Sequence, residues 1–186
     1  KQSDYEIASH GWRWIDYQNI PKAKERKDML MAIQSIKKIF GQRPLGWYTG
    51  RCSPNTRDLV IEEGGFLYDS DSYSDDLPYW EVRGKKKQLI VPYTLDNNDM
   101  RFATNQGFNS GDQFYTYLKD SFDALYNEGS THPKMMSVGL HCRLIGRPGR
   151  IQSLKKFLDY VLKHQEVWIC KRIDIAKHWI KNYSTI

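Results

Sequence analysis

Residues 21–50 read PKAKERKDMLMAIQSIKKIFGQRPLGWYTG, and the class of fold is decided here. Pro21 suits the first turn of a helix, where its fixed φ is already helical and its missing N–H would have no partner. Met29, Leu30, Ile33, Ile36, Ile39 and Phe40 then recur at intervals of three and four, the spacing of a helical face turned toward a core. Gly41 is the stop. The short apolar run Leu45 to Tyr48 follows within a few residues and reads as a buried strand. A helix feeding such a strand through a short turn is half of a β-α-β unit.

The same alternation continues outward in both directions. Upstream, Tyr5 to Ser9 reads as a first strand. Downstream, a helix is expected from about Thr56 to Glu63, stopped by Gly64 and Gly65, and then a strand at Phe66 to Tyr68. Gln88 to Pro92 is a fourth strand, Lys134 to Leu140 a fifth and Val167 to Cys170 a sixth. Ser110 is placed to cap a helix running to about Glu128, and helices are expected over Gly149 to His164 and Asp174 to Lys181. Residues 69–80 are too polar for a core element and long enough to suggest a functional loop, and residues 94–109 form a second long polar loop. Six strands separated by helices or long loops suggest a parallel (β/α) barrel. A complete eight-unit barrel takes about 250 residues, so the chain is short by roughly two units. An open doubly wound sheet is the alternative, but no GxGxxG follows a strand.

Composition narrows the function classes. The chain has 186 residues, 40% of them hydrophobic and 27% charged, within the range of an ordinary globular domain. Its 28 basic and 22 acidic residues give a net charge of +6, but they are dispersed, which argues against nucleic-acid binding. Lys85, Lys86 and Lys87 after Gly84 read as a solvated turn. Cys52, Cys142 and Cys170 are too widely spaced for a thiolate metal site or a disulfide framework, and a reducing, cytoplasmic setting fits them. No apolar run reaches the length of a membrane span, and KQSDYEIASH at the start is not a signal peptide. A chain that enters a buried strand this early is expected to be preceded by further structure.

In α/β barrels the residues just beyond each strand form the site. Collected on that rule, they are His10 and Arg13, Tyr48 and Arg51, Asp69 and Asp71, Tyr93 and Asp96, and His141 and Arg143. Histidines, arginines and carboxylates converging on one rim can transfer protons and stabilise a developing oxyanion, which points to hydrolysis of an amide-like bond. Asp71 is expected to pair with His141 and prepare it to protonate a leaving nitrogen. With no GxSxG elbow and no cysteine in a nucleophile context, water is the expected nucleophile.

SHGWRW (9–14), TGRCSP (49–54), DSDSYSDDLPYW (69–80) and SVGLHCR (137–143) occur in the order of the motifs of the polysaccharide-deacetylase (NodB-homology) superfamily. Together with PYTLDNNDMRF, FNSGDQFY and MMSVGLHCRLIGRPGR, the chain resembles the allantoinase branch of that superfamily. The resemblance implies an α/β fold, a distorted (β/α) barrel of the polysaccharide-deacetylase type, lacking its N-terminal strands in this chain. Residues 1–186 would be the C-terminal portion of a single catalytic domain. The general base would lie upstream of Lys1, so a missing N-terminal segment or chain would be needed for activity. His10 resembles the first histidine of the family's HxxxH metal motif, with Trp14 in place of the second. The metal site would be incomplete, consistent with no cofactor or at most a weakly held divalent ion at His10. Arg51 resembles the arginine that orients a catalytic carboxylate, Asp71 and Trp80 lie in the fourth motif, and His141 resembles the general acid.

The implied reaction is opening of the hydantoin ring of allantoin to allantoate. Trp14, Tyr48, Trp80 and Tyr93 would form an aromatic wall for this small ureide. Each of the four is equally well placed to pack a core. A homo-oligomer is implied by the same resemblance. The competing readings are an N-deacetylase of chitin or peptidoglycan-type N-acetyl sugars, which would want an intact metal triad, and an inactive binding chain.

Overall fold

The computed structural model describes residues 3–183. Tyr93–Ile169 forms one compact unit, and the described residues on either side of it form another. In the flanking unit α1 (Lys22–Phe40) follows Pro21 and ends at Gly41, whose left-handed φ of 83° a side chain would resist. It leads into β1 (Gly46–Trp47). Next come α2 (Thr56–Glu63), closed by Gly64, and β2 (Tyr68–Asp69). A hairpin of β3 (Tyr79–Arg83) and β4 (Lys86–Ile90) and the helix α6 (Arg172–Asn182) complete the unit. The sheet runs in the order β1-β2-β4-β3, with β1, β2 and β4 parallel and β3 antiparallel to β4.

Met29, Ile33, Trp47, Leu59, Val60 and Phe66 form this unit's core. Only part of the expected α1 stripe is used, since Leu30, Ile39 and Phe40 are exposed. Glu25 and Asp28 occupy the rest of the inner face. Buried carboxylates require partners, and both have them. Glu25 accepts from the hydroxyls of Ser53 and Thr56, and Asp28 from Tyr17 and Lys24. The Glu25 contacts tie down the segment between β1 and α2 that carries Arg51 and Cys52, and with it the first turn of α2, where Arg57 lies.

The Tyr93–Ile169 unit is built on α3 (Gly111–Gly129) packed against α5 (Pro148–Val161), with the short α4 (Cys142–Ile145) before α5. Its core is aromatic: Phe108, Phe114, Phe122 and Phe157, joined by Leu118, Ile145 and Val161. Ser110 caps α3 as expected, its hydroxyl accepting from the Gln113 N–H at 3.3 Å.

Three expected strands are not ladders. Within Tyr5 to Ser9 only Ser9 pairs, bridging Trp47, and Tyr5 is exposed. Within Lys134 to Leu140 only Gly139 pairs, bridging Asn98. Val167 to Cys170 has no strand, and Trp168 and Ile169 are exposed, so an apolar run there does not mark burial. The expected loop 69–80 ends inside β3, which makes this part of the sheet mixed. The lysine turn is the pair Gly84-Lys85, with φ +60° at Gly84 as a tight hairpin with a first-position glycine requires. Lys86 and Lys87 belong to β4. The architecture is an α/β fold with a mixed sheet and helices.

Candidate active site

In the flanking unit the polar residues gather where β1 and β2 end. The His10 Nδ1–H donates to the Tyr48 carbonyl at 2.8 Å, and the imidazole stacks on the Tyr48 ring with centroids 5.3 Å apart. Nε2 is thereby left as the basic nitrogen. Tyr48 and Tyr73 share a hydroxyl contact at 3.3 Å. Beyond β1 the chain turns through Gly50 (φ +67°), and the amides of Thr49 and Gly50 converge on Asp71 at 2.7–3.0 Å. Such a turn makes a nest of N–H donors for an anion. Asp71 also accepts from the Cys52 thiol, and burial together with this carboxylate pushes the thiol's pKa well up, so Cys52 stays protonated.

Asp69 is fully buried at the end of β2. Burial raises its pKa from 3.8 to about 7, opposed by the Arg57 guanidinium bonded to it at 2.5 Å. Arg57 also donates to the Asp71 carbonyl at 2.7 Å and pairs with Glu81 at 3.3 Å. Reading strand ends missed Arg57 because it projects from α2, and missed Arg172, which projects from α6. The Arg172 guanidinium donates to the Ser70 hydroxyl and to the Val91 and Pro92 carbonyls, holding the ends of β2 and β4. Arg51 lies 4.3 Å from the face of the Trp14 ring. Trp80 donates from Nε1 to the Tyr183 carbonyl and carries the Lys87 ammonium over its ring, which gives this indole a packing role on the hairpin.

In the Tyr93–Ile169 unit the partner of His141 is Asp99. Asp71, the expected partner, gives its carboxylate to the backbone amides of Thr49 and Gly50. The His141 Nδ1–H donates to Asp99 Oδ1 at 2.6 Å, while Asp99 Oδ2 accepts the backbone N–H groups of His141 and Ile145 at 2.8 and 3.0 Å. Asp99 is 0% exposed, so one buried carboxylate fixes the imidazole's tautomer and caps α4 at once. Nε2 is the ring nitrogen that Asp99 does not engage. The local signal for Asp99 was its place within the polar stretch 94–109. Tyr93 accepts from Asn98 Nδ2 at 2.8 Å, and its hydroxyl lies where a Cβ on Gly139 would stand, which only glycine permits.

The chain is similar to known proteins over nearly its whole length. Residues 1–61 match the family model for polysaccharide deacetylase. A Schizosaccharomyces pombe protein provisionally named a polysaccharide deacetylase is 42% identical over 96% of the chain. A crystal structure of a Pseudomonas aeruginosa PAO1 protein, also provisionally described as a polysaccharide deacetylase, matches 98% of the chain at 58% identity with a TM-score of 0.95. The chain belongs to the polysaccharide deacetylase family. The crystal structure of PuuE allantoinase also matches 98% of the chain at 58% identity and a TM-score of 0.95. The chain spans about three fifths of these relatives' length: 61% of the S. pombe protein and 62% and 61% of the two crystallised chains.

The described residues do not fit the metal ion that an HxxxH motif would hold. His10 offers one nitrogen, but the position of the second imidazole holds Trp14, whose indole has no lone pair to give and bears a guanidinium on its face. Among the described residues no three His, Cys, Asp or Glu side chains are grouped to hold an ion. No helix among them is long and apolar enough to cross a membrane.

Proposed function

We propose that the protein is a hydrolase of non-peptide carbon–nitrogen bonds that opens the hydantoin ring of allantoin to allantoate. The observation that carries this reading is the His141–Asp99 pair. An imidazole held by a buried carboxylate through Nδ1 presents Nε2–H to a leaving nitrogen, which departs from an amide only when protonated. Water adds to the ring carbonyl, the C–N bond breaks and His141 supplies the nitrogen's proton. The base that takes the water's proton is assigned to a carboxylate in the part of the relatives' length that this chain does not span. Residues 1–186 are read accordingly as the carboxyl-terminal portion of one catalytic domain, with a cytoplasmic setting and a homo-oligomer as further parts of the proposal. Likeness to PuuE allantoinase favours the ureide as substrate.

Trp14 in the second-histidine position counts against the runner-up, a metal-dependent deacetylase of N-acetyl sugars. The test is to incubate the full-length protein with allantoin, a cyclic imide and an N-acetylglucosamine oligomer, each with and without chelator. Turnover of allantoin that survives chelation is expected. Release of acetate from the oligomer without allantoin turnover would replace this reading by the deacetylase, and no turnover of any of the three would favour a binding chain.

A further inference from the structure

Asn97 is 1% exposed, and neither its carboxamide oxygen nor its nitrogen has a hydrogen-bond partner among the described residues. Buried polar groups are nearly always partnered, so an orphaned donor and acceptor on one side chain require an explanation. Trp47 Nε1 is also unpartnered, but an indole carries one N–H on a large apolar ring that packs well in a core. Asparagine brings to a buried position little besides its amide.

The neighbours of Asn97 give that amide a direction. Gly139 donates its N–H to the Asn97 carbonyl at 2.8 Å, and Asp99 donates its N–H to the Gly139 carbonyl at 3.0 Å, so 97–99 runs parallel to the strand-like residues before His141. Asn98 is extended, with φ −130° and ψ 130°, which places the side chains of 97 and 99 on one face and that of 98 on the other. Asn98 is fully used, donating to Tyr93 and accepting from the Met100 N–H. Asp99 is fully used on His141 and α4. The remaining member of the triplet, on the face of the carboxylate that holds the general acid, is the one without a partner.

We infer that the Asn97 carboxamide reads the substrate, forming a two-point pair with an amide whose N–H and C=O lie on the same edge. This rests on the ureide reading above and deepens it. A carboxamide presents a donor beside an acceptor. Its complement is a ring amide locked cis, as in a hydantoin, or the end of a urea arm. The acetamide of an N-acetyl sugar is trans, with N–H and C=O on opposite sides, and satisfies one of the two groups at a time. Asn97 thereby selects cyclic ureides over N-acetyl sugars. Such pairing requires that the residues before Asn97, where Leu95 is exposed, open locally and uncover the amide.

Two arms test this in the full-length protein. Asn97→Leu keeps the approximate size and removes both hydrogen bonds. The expected result is a KM for allantoin raised about tenfold or more, with kcat changed much less, the size of a lost pair of bonds, and a Tm that does not fall. An unchanged KM with a raised Tm would make Asn97 a structural residue and overturn the inference while leaving the ureide reading intact. The second arm needs no variant: calorimetric binding of hydantoin to the unsubstituted protein against its two N-methyl derivatives. Loss of about tenfold in affinity with at least one methyl isomer supports the pair, and equal affinities overturn it. Absence of both hydantoin binding and allantoin turnover would overturn the inference and the ureide reading together.

Discussion

At the scale of single residues, the arrangement of His141 depends on Asp99 more than on any neighbour in sequence. If His141 is the general acid of the proposed reaction, replacing it by Ala should lower kcat on allantoin by about 100-fold or more. Asp99→Asn keeps the size but offers one acceptor where the carboxylate serves three N–H groups. Steady-state kinetics should show kcat falling about tenfold or more with little change in KM, since the imidazole loses its orientation and substrate contacts are untouched. Full activity in Asp99→Asn would mean that the pair is packing only. His141 was legible from its place at an expected strand end and from the motif that carries it. Asp99 was not, because the two lie 42 residues apart and nothing in the local spacing of either names the other. Arg57 and Arg172 escaped for the same reason, being helix residues whose guanidinium groups reach strand ends.

At the scale of elements, the helices were readable and the strands were less so. α1, α2, α3 and α6 fall within a residue or two of the positions expected from caps, glycine stops and periodicity. A helix satisfies its own backbone and carries these signals locally. A strand exists only if a partner lies beside it, which is why Tyr5 to Ser9 and Lys134 to Leu140 each reduce to one bridging residue and Val167 to Cys170 to none. The Asn98–Gly139 bridge also shows how tightly such a pairing can be built. A Cβ at Gly139 would stand 1.9 Å from the Tyr93 hydroxyl and 2.5 Å from Asn98 Nδ2. Gly139→Ala is therefore expected to destabilise the protein by about 1–3 kcal/mol through overpacking and to displace His141 two residues on, lowering kcat as well. Denaturant titration and kinetics on the same variant check both. A variant of unchanged stability and rate would mean that Tyr93 yields without cost.

At the scale of the whole molecule, buried charge makes stability depend on pH. Asp69, raised from 3.8 to about 7 by burial, binds its proton more tightly folded than unfolded. The stabilisation is full below the ordinary carboxylate pKa and is lost as pH rises toward 7. Unfolding by urea at about pH 4.5 and 7.5 should show Asp69→Asn reducing that loss, and an unaltered pH dependence would assign it elsewhere. The amino-acid sequence by itself determined the α/β class, the boundaries of α1, α2, α3 and α6, the family and the reactive residue types, because periodicity, caps and motifs are properties of neighbours along the chain. The tertiary structure alone decided that Asp99 rather than Asp71 holds His141, that Asp71 rests in a nest of backbone amides, and that the Asn97 carboxamide is buried without a partner among the described residues. Those facts depend on which distant segments fold against each other, and the spacing of residues along one segment carries no record of that.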